Sequence, residues 1–506
     1  MKHTLQFLAT VFFMAYALDL SAQGAFNGYA LYNNQNNSNA YLIDADGDIA
    51  HTWNCDLNAN YAMALRDNGN IVRGAINNNN QINGAAVGGR VQELDSNGDV
   101  VWDYTYSNSD HVSHHDICLM PNGNVLLIAW EVRTSAELLQ HGSDDPEEKY
   151  ATHIIEVQQN GSSGEIVWEW HIWDHMIQDH DASKDNYGVV ADHPELMDVN
   201  VSISGGGGGP PGGGNDWFHV NGIDYNPALD QIVFSSRFLN EVFIIDHSTT
   251  TTTEAAGHTA GNAGKGGDIL YRWGHPSNYG APGAQVISAA THDARWILDG
   301  RPNAGFIQIV NNEGNNGHTT IDAFNPPLNG FTYDLTPGQA YAPATYDWRH
   351  ECLDDADGQS ASDRMSNGNI FVALSQEYMY EVDTLGNVVW QYAGGGPQKA
   401  FRYECDHPGL AALLGADPCG LVGIDEAELA NISFSPNPSN GVFNITGLPV
   451  DETVTNIAIY DMIGKEVFGV AGNKQLDLSG KDNGFYFVSI NFENGERITK
   501  KICLSK

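Results

Sequence analysis

A strand that ends in tryptophan after a glycine turn recurs along the chain, and this repeat restricts the possible folds more than any other feature. The visible copies end at five tryptophans: Trp53, Trp102, Trp168, Trp273 and Trp390. A second motif, Asn-Gly-Asn followed by an apolar strand, begins at Asn68, Asn122 and Asn367. Hairpin repeats of this kind are typical of β-propeller blades. The sequence therefore predicts an all-β fold and favours a six-bladed propeller, because the two longer gaps between tryptophans have room for further repeats.

The composition changes near residue 430. Most of the net charge of −40 lies before this point, whereas basic and acidic residues nearly balance from Asn431 to Lys506. Period-2 strands alternate there with Pro, Asn and Gly turns, which predicts a small β-sandwich. The segments around Phe434–Gly441 and Gly484–Val488 resemble the C-terminal sorting domain of type IX secretion in Bacteroidetes. That resemblance implies the type IX machinery as a partner, and an adhesive immunoglobulin-like module is the alternative.

The first residues have the pattern of a signal peptide. Lys2 and His3 precede an apolar run from Leu5 to Leu18, and Ser21-Ala22 offers a cleavage site. An N-terminal anchor is the alternative, although the run is short for a membrane span, and no other apolar run is long enough to cross a bilayer. We therefore expect a signal peptide over 1–22, a propeller over 23–428 and a sorting domain over 429–506. The mature chain is predicted to be secreted, or held at the outer-membrane surface, after passing through the periplasm.

The charge excludes whole classes of partner. With 23 basic and 63 acidic residues, the surface repels nucleic acid and anionic membranes. An anionic substrate would need local positive groups. Six cysteines lack metal-type spacing, and the most plausible disulfide joins Cys405 to Cys419. The turn at Asp44, Asp46 and Asp48 has calcium-binding residue types, but a solvated turn is the preferred interpretation because the distal Glu is missing.

Four segments bring histidine together with other polar groups. They are His114–Asn124, Trp217–Tyr225 with the downstream Ser235–Arg237, Thr291–Ala294, and Trp348–His350 with the downstream Gln359–Ser362. In the first three, the histidine immediately precedes an apolar strand. In a propeller this position faces the central funnel, so several blades can direct imidazoles and one guanidinium towards a common point.

These segments resemble the bacterial aryl-sulfate sulfotransferases over roughly residues 27–400. The signatures are His-His-Asp before Pro-Asn-Gly-Asn, and Trp-x-His-x-Asn with Ser-x-Arg downstream. The resemblance implies four catalytic residues, of which the last is transiently sulfated: His115, His219, Arg237 and His292. Three further residues are candidates for substrate binding: His114, Asn221 and His350. The polyglycine segment 205–214 and Gly222, where a bulkier residue is expected, depart from the family and affect the shape of the acceptor site.

The predicted chemistry moves a sulfuryl group from a phenolic sulfate ester to a phenolic acceptor through a sulfohistidine. Imidazole has a pKa near 6.5, so it is a nucleophile at neutral pH. A covalent intermediate divides one difficult displacement into two. We predict no cofactor, no catalytic metal and no nucleotide sulfate donor, since no phosphate-binding loop occurs.

Three alternatives remain at this stage. The first is a secreted propeller that binds a ligand or partner without turnover, and the second is a sulfatase-like hydrolase. The third concerns His171, His175 and His180, which could bind a metal at helical spacing. A polar loop or short helix is the preferred interpretation of that segment.

Overall fold

The computed structural model describes residues 24–34, 37–203, 215–283, 285, 290–419, 432–448, 453–462, 465–470, 475–492 and 497–506. The chain divides into two compact units, Met1–Ala416 and Asp417–Lys506. The all-β class predicted from the sequence is confirmed. The expected signal peptide, the polyglycine segment and the expected domain boundary at residue 428 lie outside the described residues.

The first half of the first unit consists almost entirely of short strands. They are β1 (Gly28–Asn34), β2 (Ala40–Ile43), β3 (Ile49–Trp53), β4 (Ala59–Leu65), β5 (Ile71–Ile76), β6 (Gly89–Leu94), β7 (Val100–Thr105), β8 (His111–Leu119), β9 (Val125–Arg133), β10 (Lys149–Asn160), β11 (Ser163–His171), β12 (Met176–Ile177) and β13 (Met197–Asp198).

The second half continues the pattern. Its strands are β14 (Val220–Asn226), β15 (Gln231–Ser236), β16 (Glu241–Asp246), β17 (Ile269–Trp273), β18 (Thr291–Trp296), β19 (Ile307–Asn315), β20 (His318–Phe324), β21 (Leu328–Asn329), β22 (Thr332–Tyr333), β23 (Trp348–Glu351), β24 (Ala361–Arg364), β25 (Ile370–Ala373), β26 (Met379–Val382), β27 (Val388–Tyr392) and β28 (Pro397–Glu404). The helices are short: α1 (Ser135–Gln140), α2 (Thr252–Ala255), α3 (Pro408–Leu414) and the 3-10 turns Ile172–His175, Val190–Asp192 and Pro276–Tyr279.

Between residues 24 and 419, the described strands form six four-stranded antiparallel sheets. Their strand orders are β28-β1-β2-β3, β4-β5-β6-β7, β8-β9-β10-β11, β14-β15-β16-β17, β18-β19-β20-β23 and β24-β25-β26-β27. The last strand of the unit thus completes the first sheet. The leading strands β28, β4, β8, β14, β18 and β24 each contact the leading strands of the two neighbouring sheets.

A ladder of buried carboxylates ties these leading strands together. In four of them an aspartate Oδ2 accepts the backbone N–H of the next leading strand: Asp116 from Ile223 (3.1 Å), Asp224 from Trp296 (2.9 Å), Asp293 from Ser362 (3.1 Å) and Asp363 from Arg402 (3.1 Å). Hydrogen bonds to a charged acceptor are roughly twice as strong as neutral ones. Neighbouring sheets are therefore joined by specific polar bonds as well as by apolar packing.

The repeated tryptophans connect the outer parts of neighbouring sheets. Their indole N–H groups donate across to the next sheet: Trp102 to Ser163 O (2.8 Å), Trp168 to Thr249 Oγ1 (2.9 Å), Trp273 to Pro343 O (2.6 Å) and Trp390 to Ala45 O (2.7 Å). One long gap, from Trp273 to Trp390, contains an additional sheet whose outer strand begins at Trp348. The other gap contains no additional four-stranded sheet in the described residues, and the short β12 and β13 pair in parallel there.

The first aspartate of each acidic turn accepts hydrogen bonds from backbone N–H groups of the turn. Asp44 Oδ1 accepts the N–H groups of Asp46 (3.0 Å) and Asp48 (2.9 Å). Asp95 and Asp383 close equivalent turns in the second and sixth sheets. Side-chain acceptors of this kind explain why Asp begins these Gly-containing turns.

The second unit has two sheets, with strand orders β29-β30-β33 and β32-β31-β34-β35. Its strands are β29 (Ser433–Ser435), β30 (Val442–Thr446), β31 (Val454–Tyr460), β32 (Glu466–Val470), β33 (Gln475–Asp477), β34 (Gly484–Phe492) and β35 (Arg497–Leu504). Both sheets contribute to one core that includes Phe443, Ile457 and Val488. Cys405 and Cys419 are disulfide-bonded, as expected. None of the described helices has the length and apolar character needed to cross a membrane.

Candidate active site

The three histidine patches predicted to face the funnel occur where leading strands are irregular. The register of the strand pairs shifts at each patch: Ser113–Ile117 in β8, Val220–Gly222 in β14 and His292–Arg295 in β18. The backbone is left-handed at His115 (φ 52°), His219 (φ 49°) and Asp293 (φ 52°). A bulge re-aims a side chain, and strained residues outside glycine concentrate at functional sites. These bulges direct the side chains of His115, His219 and His292 into one cavity.

The cavity has a volume of about 640 Å³. The imidazole centroids of His115 and His219 are 4.6 Å apart, and those of His219 and His292 are 6.5 Å apart. The lining residues are Tyr61, Ala85, His115, His219, Arg237, Phe238, His292, Asp355, Ala356, Asp357, Gly358, Gln359, Ser375, Gln376 and Glu377. The structure thus brings together all four residues that the sequence predicted as catalytic.

Arg237 is the cationic group of this cavity. It directly follows β15, and its backbone N–H donates to His219 O (3.0 Å). No carboxylate among the described residues lies within ion-pair distance of its guanidinium. An unpaired guanidinium in a protein with a net charge of −40 is suited to bind an anion, and its planar fork matches the oxygens of a sulfuryl group.

His292 has the tautomer that a nucleophile needs. The ring is 2% exposed, and its Nδ1 bonds to Ala290 O at 2.9 Å. Because a carbonyl oxygen can only accept, Nδ1 carries the proton and the lone pair is on Nε2. Burial, and then the Arg237 charge, hold the pKa of His292 well below its usual value. The ring therefore stays neutral at physiological pH.

The imidazoles of His219 and His115 are each hydrogen-bonded to another side chain through Nδ1. His219 Nδ1 donates to Asp216 Oδ2 (2.7 Å), and Asp216 Oδ1 also accepts from Trp130 Nε1 (3.0 Å). His115 Nδ1 bonds to His114 Nδ1 (2.7 Å), so one of these two nitrogens donates to the other. Burial lowers the pKa of His115 well below its usual value and that of His114 to about 3. His114 thus contacts the cavity residue His115, but it is not itself one of the cavity-lining residues in the described part of the chain.

Two other predicted substrate-binding residues lie elsewhere. Asn221 is fully buried: its Nδ2 donates to Thr291 O (2.9 Å) and its Oδ1 accepts from Ser235 Oγ (2.7 Å). It holds the strand that carries His292. His350 is on the outermost strand of the fifth sheet, where its Nε2 bonds to Tyr380 Oη (2.9 Å). Within the described residues, neither lines the cavity.

Close packing accounts for the unexpected Gly222. A β-carbon at this position would lie 2.8 Å from the backbone N and Cα of Asp293 and from Ser235 Oγ. A side chain would therefore displace the strand that carries His292. His171, His175 and His180, the alternative metal set, do not form one cluster: His171 groups with Glu131 and His153, and His175 with His258 and Asp268.

Several cavity residues escaped the sequence analysis. Tyr61 and Phe238 contribute aromatic walls, and Gln359 Nε2 donates to Tyr61 Oη. Gly358 lies close to both Arg237 and His292: a β-carbon there would be 2.7 Å from Arg237 Nη1 and 3.7 Å from His292 Nε2. Nothing in the local sequence marks Gly358 as part of a site.

A buried ammonium beneath the cavity was also missed. Lys399 Nζ contacts Asp116 Oδ2 (2.8 Å) and Asp293 Oδ1 (3.0 Å), the residues that follow His115 and His292. Lys399 is 2% exposed. One charge thus links two of the strands that carry the imidazoles.

Comparison with known proteins identifies two regions. The arylsulfotransferase (ASST) family model matches residues 6–265, which include His115, His219 and Arg237, and the secretion system C-terminal sorting domain matches residues 433–505. No curated protein matches the chain.

Solved structures are similar only at a distance. One is a protein of unknown function from Bacteroides caccae, with 12% identity, a TM-score of 0.40, and coverage of 74% of this chain and 98% of that one. Another is apo AztD from Citrobacter koseri, with 10% identity, a TM-score of 0.33, and coverage of 75% and 99%. Neither supports an argument about function. The two family matches do: the chain belongs to the arylsulfotransferase family and ends in a secretion sorting domain, which makes it a secreted or outer-membrane surface protein.

Proposed function

We propose that the protein transfers a sulfuryl group from a phenolic sulfate ester to a phenolic acceptor, with His292 as the transiently sulfated residue. The single observation that carries this proposal is the unpaired guanidinium of Arg237 beside three imidazoles in one cavity. Family membership supports sulfotransferase activity in general. His292 and His219 both carry a proton on Nδ1, but their partners differ. The Asp216 carboxylate stabilises an imidazolium at His219 and suits it to proton transfer, whereas burial and the Arg237 charge hold the pKa of His292 well below its usual value, which supports His292 as the nucleophile.

In the first half-reaction, the Nε2 lone pair of His292 attacks the sulfur of the donor. The N–S bond forms as the S–O(aryl) bond breaks, and the phenolate leaves with the electron pair of that bond. The leaving oxygen takes a proton from the imidazolium form of His219, whose positive charge Asp216 offsets at 2.7 Å. Arg237 and His115 bind the sulfuryl oxygens, where charge develops.

The second half-reaction reverses these steps. The acceptor phenol transfers its proton to His219 as its oxygen attacks sulfur, the N–S bond breaks, and the product ester leaves. Tyr61 and Phe238 supply flat apolar walls for the aromatic rings of donor and acceptor. No metal or nucleotide takes part in either step.

The experiment follows the covalent intermediate. A nitrophenyl sulfate without acceptor should release one equivalent of phenol in a burst and add one sulfuryl group to the protein, about 80 Da. The adduct must be trapped in alkali, because an N–S bond is acid-labile. Acceptor phenol should then discharge it with ping-pong kinetics. His292→Ala should remove both burst and adduct, whereas the control His350→Ala should retain them.

Each other outcome points to a different function. An adduct that persists in His292→Ala would place the nucleophile on another residue. Continuous release of phenol and free sulfate without acceptor would indicate a hydrolase. If the wild type neither gains mass nor releases phenol, a non-catalytic ligand-binding propeller is the correct interpretation.

We also propose a domain architecture for the chain. Residues 23–428 form a closed six-bladed propeller, residues 1–22 are a signal peptide and residues 429–506 direct secretion. The contacts between successive leading strands and the pairing of β28 with β1 support closure. N-terminal sequencing of the exported protein should begin at Gln23. Deletion of 429–506 should leave an active protein in the periplasm, and normal secretion of that truncated chain would refute this part.

A further inference from the structure

A cluster of histidines and carboxylates lies on the outer three strands of the third sheet, apart from the catalytic cavity. His153 on β10 pairs directly with His171 on β11, and both project from the same face as Glu131 on β9 and Glu169 on β11. The two imidazoles are stacked, with centroids 4.0 Å apart and planes 19° apart. Nothing in the proposed reaction uses these side chains.

The Nδ1 atom of each imidazole is already engaged. His171 Nδ1 donates to Glu131 Oε2 (2.9 Å), and Glu131 is itself paired with Arg133 at 2.5 Å. His153 Nδ1 bonds to Tyr106 Oη (3.2 Å). The two rings are therefore held in the same orientation, with both Nε2 atoms free to bind something else.

Both Nε2 atoms face one carboxylate oxygen. Glu169 Oε2 lies 3.6 Å from His153 Nε2 and 3.7 Å from His171 Nε2. These separations are too long for hydrogen bonds. His153 is 4% exposed, and its Nε2 has no hydrogen-bond partner among the described residues. A buried polar atom without a partner is rare in native proteins and requires an explanation.

We propose that His153, Glu169 and His171 bind a divalent first-row transition-metal ion, with Zn²⁺ as the reference case. Zn–N bonds of about 2.0–2.1 Å place the ligand atoms of a tetrahedral ion about 3.4 Å apart, close to the spacing seen between Glu169 and the two Nε2 atoms. Small tilts of the two rings, within their Nδ1 hydrogen bonds, bring both lone pairs onto the ion. Two imidazoles and one carboxylate favour zinc over calcium or magnesium, which prefer oxygen ligands.

The surroundings fit such a site. Glu131 supports the ligand His171 through Nδ1, the carboxylate–histidine–metal arrangement that fixes ring orientation. The His171 and Glu169 side chains are 23% and 31% exposed, so an ion can enter and water can fill the fourth position. The ion joins β10 to β11 in the sheet whose leading strand carries His115. This role is independent of the proposed sulfuryl transfer.

The test begins with metal-stripped protein at neutral pH, titrated with Zn²⁺ by calorimetry. His153→Gln and His171→Gln should each remove one bound ion per chain. Glu131→Gln should weaken binding about 10- to 100-fold, the usual effect of losing a group that supports a ligand. The matched control is His258→Gln, in the second histidine–aspartate cluster, where both nitrogens of the neighbouring His175 are already hydrogen-bonded, to Asp268 and to Ala255 O.

Crystals of wild-type protein with Zn²⁺ locate the ion even if a variant fails to fold. Anomalous diffraction at the zinc edge should show a peak bonded to the three proposed ligand atoms. The proposal is overturned if that peak is absent there. It is equally overturned if His153→Gln binds as many ions as the wild type, or if His258→Gln is the variant that loses one. Aryl-sulfate turnover is not the readout, so failure of the proposed reaction leaves this result unaffected.

Discussion

Two cavities are lined by successive segments of the same leading strands, and their arginines have different surroundings: Arg237 lines the first, and Arg295, Arg301 and Arg402 line the second. The cavity of the candidate active site is lined by His115, His219 and His292, and a second cavity of about 650 Å³ is lined by later residues such as Ile117 and Arg295. Arg237 in the first cavity has no carboxylate at ion-pair distance among the described residues.

Arg295 in the second cavity lies close to two carboxylates and an aromatic ring. Its Nη1 is 3.1 Å from Asp363 Oδ1, its Nε is 3.7 Å from Asp293 Oδ2, and its guanidinium lies 3.9 Å from the ring centroid of Phe401. A buried charge that is matched by opposite charges stabilises a structure, whereas an unmatched one is available to a ligand. The two arginines therefore differ in what is left to bind a ligand: Arg237 has no carboxylate at ion-pair distance among the described residues, whereas Arg295 has two.

The largest expected effect tests that contrast directly. Arg237→Ala should lower kcat/KM for an aryl sulfate by roughly 10³-fold, because sulfuryl oxygens lose their main positive partner. Arg237→Lys should also lose activity strongly, since an ammonium cannot reproduce the bidentate fork. The melting temperature of both variants should match the wild type, because Arg237 stabilises no carboxylate.

Arg295→Ala should have the opposite profile. Removing one partner of a buried ion pair costs about 3–5 kcal/mol, so its melting temperature should fall markedly. The contrast fails if Arg237→Ala unfolds the protein, or if Arg295→Ala lowers turnover without changing the melting temperature.

Lys399 contacts Asp116 and Asp293, on two strands that line both cavities. Lys399→Met would leave the carboxylates of Asp116 and Asp293 buried without their shared cation, at a cost of about 3–5 kcal/mol in the free energy of unfolding. Denaturant unfolding measures this loss. Lys149→Met is the control: its partner Asp145 has a 64% exposed side chain, so the change should stay within about 1 kcal/mol. Equal stability of the two variants would contradict a structural role for Lys399.

Local sequence signals predicted the strands well, since turn chemistry acts over a few residues. Asp95 and Asp383 close the Gly turns they were read from, and Trp102 and Trp390 lie on the outer strands that follow. The imidazoles were found because each precedes an apolar strand. Lys399 could not be found in this way, because its partner Asp116 is 283 residues away and nothing near Lys399 marks it as special.

The same limit applies to backbone geometry. The bulges that re-aim His115 and His219 lie in the hairpins β8–β9 and β14–β15, but the sequence contains no signal for a left-handed histidine. His350 had the right residue type next to an arginine, yet it lies on β23, the outermost strand of its sheet, after the separate two-stranded hairpin of β21 and β22. Residue type is local information, whereas depth in a sheet is a property of the whole fold.

Gly358 provides a smaller test of the catalytic cavity. In Gly358→Ala the methyl group would lie 2.7 Å from Arg237 Nη1 and 3.7 Å from His292 Nε2, in the space between the two groups. Arg237 must move to accommodate it, so kcat/KM should fall by roughly tenfold, since small misplacements of catalytic groups are costly. Gly480→Ala is the control, because a β-carbon there meets no atom of the described residues within 4 Å and the backbone is not left-handed. Unchanged kinetics in Gly358→Ala would mean that sulfate does not bind between Arg237 and His292.

The smallest expected effect concerns pH. Only the neutral form of His292 can attack sulfur, and a histidine with the ordinary pKa of 6.5 would lose about threefold of that form between pH 7 and pH 6. Burial and the nearby Arg237 hold the pKa of His292 well below that value, so the ring stays neutral across this interval. The single-turnover rate of adduct formation from a nitrophenyl sulfate, whose leaving group needs little protonation, should therefore change less than about twofold. Arg237→Gln should raise the pKa of His292 by removing a positive neighbour, which moves the acidic decline of its remaining rate to higher pH. A threefold decline of this rate in the wild type, with the same decline in Arg237→Gln, would show that Arg237 does not control the protonation of His292.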